Sequence, residues 1–388
     1  MRRKVVLKQA LSGITLQVTN AVLSIIKVPI LIQGLGENEY VRIAVIISFW
    51  SYISFRGEVN RKNARITYIK NHELILLEKD YLTGIMGILA TALLLINRDQ
   101  REHWPETISA MIMTVICGYI YSKNARTVGF LEASSRINHV NFLQTLSQIV
   151  IFPLFILAAN YGNFFITYLV FLLSFVGGGV LLHVSSRSLI GKVKSSSSVN
   201  ESRIWKEVTL WEMIPSSLFP LIISLVCTNS DLLNFLVYQK FVIAFAVLPI
   251  AMGPLYSMLD FQFNSKLVKK FIRTINLTFL SSLVCLIIVF EEFIVGFISN
   301  GQVSPSPKLL YSVVLSGFLS VIISPFQNAA SYGIKLDSRL FALRLHVPIS
   351  ILLLVLTASL YGSYFGFVVS AYLSLLVNLT TRNRINSN

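Results

Sequence analysis

Residues Gln9 to Tyr40 read QALSGITLQVTNAVLSIIKVPILIQGLGENEY. The stretch is long and apolar enough to cross a bilayer, yet it carries Gln9, Gly13, Gln17, Asn20, Ser24 and Lys27. On a helix these six positions fall within roughly an 80° sector of one face. A helix facing only lipid would not carry such a stripe, because an amide or ammonium in hydrocarbon needs partners or water. The stripe predicts a membrane helix with one side turned toward a wet cavity.

Composition supports this reading. Of 388 residues, 54% are hydrophobic and 13% charged, and the mean hydropathy is +0.68. Soluble domains carry about 25% charged residues, so this chain has too few to solvate a surface of its size. It reads as a polytopic membrane protein in the all-α class. At about 20 residues per span there is room for roughly twelve spans. The formal charge of +15 would suggest nucleic acid in a soluble protein. Here it is spread over short loops, without basic runs interleaved with aromatics, and nucleic acid is excluded as a partner. Cys117, Cys227 and Cys285 sit in apolar segments without metal-ligand spacing and read as buried free thiols. The basic start Met1-Arg2-Arg3-Lys4 is followed by a segment too polar and long for a signal-peptide core, so it opens an uncleaved first span.

Hydropathy places spans at about 10–32, 40–56, 81–97, 107–123, 140–159, 163–184, 208–228, 232–257, 273–290, 309–330, 345–361 and 364–380. Alternate loops concentrate the basic residues, among them Arg61, Lys62, Arg65, Lys123, Arg126, Arg187, Lys269, Lys270, Arg339 and Arg344. The loops between them hold little beyond Arg98, Arg101 and Lys308, and the longest, about 291–308, contains Pro305 and Pro307. This asymmetry predicts that both termini are cytoplasmic. A serine-rich linker at 185–207 suggests an N-terminal six-helix lobe over 1–206 and a C-terminal one over 207–388. A short repeat agrees: Asn124-Ala125-x-x-x-Gly129 followed by Ser135-Arg136 recurs 204 residues on as Asn328-Ala329-x-x-x-Gly333, followed by Ser338-Arg339. Six spans mapped onto six with the same orientation form a parallel repeat.

Ionisable groups inside spans are functional candidates by default. Lys27 shares its face with Asn20 and Ser24 and is assigned to the cavity. Lys240 lies about nine residues into its span and about 180° from Asp231 on a straight helix, so only one of those two lines the cavity. Arg42, two residues into the second span, is expected to snorkel to the headgroups. Glu212 has two readings, an interfacial acid or a protonatable group at a cavity mouth, with coupling or gating as the role for it and for Asp231. The histidines are scattered, and no phosphate loop, paired catalytic carboxylate, nucleophile motif or metal-ligand spacing occurs. The chain is read as no enzyme, with no cofactor and no metal.

Pro29-Ile30-Leu31-Ile32 followed by Gly34-Leu35-Gly36 and Glu39-Tyr40 resembles the start of Wzx-type O-antigen flippases. These belong to the multidrug/oligosaccharidyl-lipid/polysaccharide exporter superfamily. The resemblance takes in Ser51-Tyr52-Ile53-Ser54, Arg65 and Tyr68, Asp231-Leu232-Leu233, and Pro249 to Pro254. Val41 stands where such proteins commonly have Gly, and Phe55-Arg56-Gly57 lacks the usual acid. The resemblance implies a MATE-like fold of two six-helix lobes around a partly cationic cavity, in the bacterial inner membrane. The implied cargo is an undecaprenyl-pyrophosphate-linked oligosaccharide, flipped from the cytoplasmic to the periplasmic leaflet for O-antigen and lipopolysaccharide biosynthesis. An O-antigen polymerase and a chain-length regulator are the implied protein partners. Gln17, Asn20, Lys27 and Lys240, with Ser24 on the same stripe, would meet the diphosphate and sugar. One rival is an O-antigen polymerase or ligase, which resembles chains with a large periplasmic loop carrying paired arginines. The other is a MATE-type drug exporter, which would show acids within the first lobe.

Overall fold

Backbone N–H and C=O groups find no water inside a bilayer, so apolar stretches of this length must satisfy them internally as helix. The computed structural model describes residues 2–71, 74–75, 82–134, 136–190, 195–196, 202–263, 266–330 and 336–386. It is all-α. In chain order the helices are α1 (Arg2–Leu35), α2 (Glu37–Ser48), α3 (Trp50–Ile53), α4 (Phe55–Asn71), α5 (Leu82–Leu94), α6 (Arg98–Glu102), α7 (Trp104–Ala133) and α8 (Ile137–Asn160). They continue as α9 (Phe164–Ile190), α10 (Ser202–Val226), α11 (Asn229–Phe263), α12 (Lys266–Ser299), α13 (Pro307–Ala330), α14 (Leu336–Tyr361) and α15 (Phe365–Asn386). The extended pairing among the described residues is two residues long, Leu74–Ile75 beside Ser195–Ser196 in parallel.

Among the described residues, seven helices have the length and hydropathy to cross a membrane, and three shorter apolar helices accompany them. Large apolar side chains stand exposed along them, including Leu157, Val289, Phe293 and Leu360. In a soluble protein such a surface would aggregate; here it is the face that lipid covers.

Each of the twelve expected spans falls on helix, but several helices outrun the apolar run that predicted them. The second span is three pieces, α2 to α4, and α4 continues through Asn71. The fourth continues from 123 to Ala133 as α7, so Lys123 and Arg126 sit on helix and not in a loop. The ninth continues past a break at Phe290 (φ −113°, ψ 20°) to Ser299, which shortens the expected outward loop to 300–306. Hydropathy reports where lipid ends, and a helix whose exposed face turns polar has no reason to stop there. The part of the repeat at Ser331 to Gly333, Ser135, and residues 191–194 and 197–201 of the serine-rich linker lie outside the described residues.

The packing order repeats between the halves. In the first, α7 packs against α4, α5 and α9, and α8 against α9. In the second, α13 packs against α11, α12 and α15, and α14 against α15. Helices in corresponding places thus choose corresponding neighbours, as a duplicated architecture requires.

The chain forms two compact units, Gly34–Leu221, and Met1–Gln33 with Ile222–Asn388. Relative to the expected lobes at 1–206 and 207–388, each half has exchanged its first helix: α1 groups with the C-terminal helices and most of α10 with the N-terminal ones. Gly36 lets the chain leave α1 and start α2, since its φ of 89° is one that L-residues rarely adopt.

In the Gly34–Leu221 unit the central contact is α4 on α7. Phe55, Val59 and Met86 are buried together, and Trp50 stacks on Phe175 with ring centroids 5.1 Å apart. The approach is close because Gly129 has no side chain: a Cβ there would fall on the Arg61 backbone. In the other unit Phe235 stacks on Phe367 at 4.5 Å. Gly129→Ala is expected to lower stability by on the order of 1–3 kcal/mol by forcing α4 from α7. Gly84→Ala on α5, where a Cβ meets nothing within 4 Å, is expected to be neutral or mildly stabilising. Thermal unfolding of the detergent-solubilised variants measures both.

Candidate functional site

The polar stripe lies along α1. Gly13 is buried, Gln17, Asn20 and Ser24 are half-buried, and Lys27 is 7% exposed. Gln9 is on the same helix, but its side chain lies outside the described residues. A lysine this covered, well inside a membrane-spanning helix, is not snorkelling.

Lys240 of α11 belongs to the same compact unit as Lys27 and is near enough for its charge to act on the Lys27 ammonium. Lys240 is held at this depth by a fixed stretch of α11. Tyr238, fully buried, donates a hydrogen bond to Glu291 Oε1 at 2.6 Å and accepts one from the Ser306 backbone N–H at 2.7 Å. Phe241 on the other side is also buried and packs edge-on against Tyr238. Of the predicted cavity residues, Lys27 and Lys240 fall in one compact unit, with Gln17, Asn20 and Ser24 on the same helix as Lys27.

Asp231 has a local role. Its carboxylate accepts a hydrogen bond from Thr228 Oγ1 at 2.8 Å, and its backbone N–H donates back to that oxygen at 3.2 Å. Thr228 precedes α11, so this is a capping arrangement that satisfies helix-start donors. It places the cation, not the acid, deep in the span. Glu212 of α10 stands 3.7 Å from Lys62 of α4 within the Gly34–Leu221 unit, each side chain about a quarter exposed.

Arg42 does not snorkel. It is 3% exposed; its Nη1 donates to Glu39 Oε1 at 2.8 Å and the guanidinium lies 4.6 Å from the centroid of the Phe164 ring. Phe164 opens α9 and covers the outer end of α2, so the charge is neutralised locally instead of reaching solvent. Arg42 Nε and Nη2, Glu39 Oε2 and Tyr40 OH are buried without hydrogen-bond partners.

Sequence reasoning missed a second charged cluster and treated Glu212 as the sole acid within a span. Glu132, beyond the apolar part of α7, accepts hydrogen bonds from Arg61 Nε and Nη2 and lies 3.8 Å from Arg65 Nη1. Glu58 accepts from Tyr121 OH and stands 3.8 Å from Arg61. The signal was present: Glu58, Arg61 and Arg65 are spaced to share one helical face, legible once α4 is allowed to continue past the lipid. Burial alone would raise the Glu132 carboxyl. The Arg61 and Arg65 charges and the Arg61 hydrogen bond outweigh it and hold the group below the ordinary carboxylate range.

Among the described residues no group of three or more His, Cys, Asp or Glu is placed to hold a metal ion, and the three cysteines are free thiols.

Two stability tests follow from these charges. A carboxyl whose folded pKa is depressed stabilises the fold above its unfolded pKa and loses that contribution as pH falls through the folded value. Acid unfolding should therefore steepen below about pH 4 in the wild type. In Glu132→Gln that steepening should be weaker, with stability at pH 7 lower by on the order of 2 kcal/mol, since two arginines lose their shared anion. Arg42→Ala, which leaves Glu39 without its cation, should cost about as much. Arg98→Ala, at a solvated pair with Glu102, should leave thermal unfolding unchanged.

No protein-family model matches the chain, and no curated protein matches it. Solved structures do. Over 96% of this chain and 87% of the other, it is similar to the lipid II flippase MurJ in an inward closed conformation, with TM-score 0.64 and 12% identity. Over 97% and 98% it is similar to a multidrug resistance MATE family transporter of the MOP superfamily in its inward-facing conformation, with TM-score 0.62 and 15% identity. A MOP superfamily transporter from Pyrococcus furiosus gives TM-score 0.56 and 13% identity over 99% and 96%. Likeness at these identities is likeness of fold: the chain is a multi-pass membrane protein built as MOP superfamily transporters are.

Proposed function

We propose that this protein is a flippase that carries an undecaprenyl-pyrophosphate-linked oligosaccharide, of the kind used for O-antigen, across the bacterial inner membrane. The observation that supports the reading is the buried Lys27 of α1, in the membrane-spanning part of the unit that also carries Lys240, whose charge reaches it. Two cations in a low-dielectric region are a setting that favours an anion, and a diphosphate carries charge enough for two. Gln17, Asn20 and Ser24 add donors and acceptors that suit sugar hydroxyls. The prenyl chain needs no protein cavity, since it can remain in lipid.

The transport cycle in this reading is rocking of the two six-helix lobes, 1–206 and 207–388, between inward and outward openings, with both termini cytoplasmic. Glu212 keeps the coupling or gating role in this reading, its carboxylate held 3.7 Å from Lys62 within one unit. Asp231 serves the cycle as the cap that fixes the start of α11. The chain performs no chemistry on its cargo, so a polymerase and chain-length regulator act after it. A MATE-type exporter shares the fold; the acids expected of one in the first lobe are present as Glu58 and Glu132, but Tyr121 and the arginines of α4 engage both.

Deleting the gene should leave complete single repeat units on the cytoplasmic leaflet. Units reaching the periplasmic leaflet unpolymerised would assign the chain to polymerisation instead. Lys27→Ala and Lys240→Ala should each lower transport about ten-fold, the effect of losing one charge-assisted contact of about 1.5 kcal/mol, with insertion and expression intact. Transport unaffected by both changes would remove the anion-binding role.

A further inference from the structure

The positive end of the Gly34–Leu221 unit contains a convergence of charge that the transport reading does not use. Arg126 and Thr127 are neighbours on α7, and His183 and Arg187 are one turn apart on α9, which packs against α7. Thr127 Oγ1 and His183 Nδ1 lie 3.0 Å apart and tie the two helices together at this point. The two guanidinium charges both act on the imidazole. Arg126 and His183 are half-buried and Arg187 is exposed.

Orientation in a membrane needs basic residues on one side, counted over the loops. It does not need them gathered from two helices around a single imidazole, where they repel. With Nδ1 taken by Thr127, the imidazole has Nε2 to offer a ligand.

The surface leading away from this cluster is apolar. Val180, Val184 and Arg187 follow one face of α9 at spacings of four and three, with Leu181 beside them. Val180 is 37% exposed, Leu181 45% and Val184 69%. A cationic patch that gives way along one helix to exposed aliphatic side chains has the polarity profile of a phospholipid, phosphate at one end and acyl chain at the other. Basic sites between membrane helices hold anionic headgroups by this means.

We propose that Arg126, His183 and Arg187 form a binding site for the phosphate of an anionic phospholipid, whose acyl chain lies along Val180, Leu181 and Val184. The arginine forks suit the non-bridging phosphate oxygens, and Thr127 fixes the imidazole between them. The site holds a lipid of the surrounding leaflet and stands whether or not the transported cargo is as proposed above.

The test uses the full-length protein, delipidated in detergent, with phosphatidylglycerol and phosphatidylcholine added separately and bound lipid read by native mass spectrometry. Wild type should retain phosphatidylglycerol preferentially. Arg126→Gln and Arg187→Gln should each weaken that retention roughly five-fold, the effect of one basic group near a lipid phosphate, and the double variant should lose the preference. Arg126→Lys/Arg187→Lys should keep most of it, which separates charge from fold. Lys123→Gln/Lys206→Gln, removing two cations elsewhere, should keep all of it. The proposal is overturned if that control loses as much as the arginine pair, or if the arginine variants bind like wild type. Thermal stabilisation by inorganic phosphate alone, equal to that by phosphatidylglycerol, would likewise sink it by making the site a simple anion pocket. If the double variant does not reach the membrane, the single variants decide the matter.

Discussion

A charge in hydrocarbon must be given a partner by the protein, because the bilayer supplies none, and this constraint organises the molecule. It closes every backbone hydrogen bond within helices, and then sorts the ionisable side chains by how each is compensated. Arg42 is compensated on its own helix by Glu39 and from above by Phe164. Glu132 is compensated across a helix contact by two arginines. Lys27 lies within reach of the Lys240 charge. The first two arrangements stabilise one conformation, whereas the third brings a second cation to a buried one.

The α4–α7 contact shows how tightly this compensation is built. Gly129 brings the backbones together, and the closeness lets Arg61 reach Glu132 with two of its nitrogens. Burial of an ion pair is favourable only when geometry is good and the remaining donors are satisfied. An added methyl group at 129 therefore acts on electrostatics as well as packing. It also gives a physical reason for the first glycine in the Asn-Ala-x-x-x-Gly repeat.

The all-helical architecture was legible because long apolar runs admit one solution in lipid, and the twelve expected segments all fall on helix. The duplication was legible in a short motif and is carried much further by the repeated order of helix packing. What hydropathy could not give was helix ends, since α4, α7 and α12 continue as amphipathic helix after the apolar run stops. That one error hid Glu58 and Glu132, which looked like loop residues. Arg42 was misread for a different reason. Its distance from the end of its own span suggested solvent, and only tertiary structure brings Phe164 over it.

That Lys27 does not snorkel was legible because its signal was periodic: a stripe that a snorkelling lysine does not need. Lys240 lacked a stripe, and its face could not be chosen against that of Asp231 until the Thr228 cap accounted for the acid. With Asp231 engaged by Thr228 at the start of α11, depth singles out Lys240 as the charge that the span itself has to accommodate. A lysine there gives the unit two cations near enough for one to act on the other, whereas an acid in its place would have offered Lys27 an opposite charge.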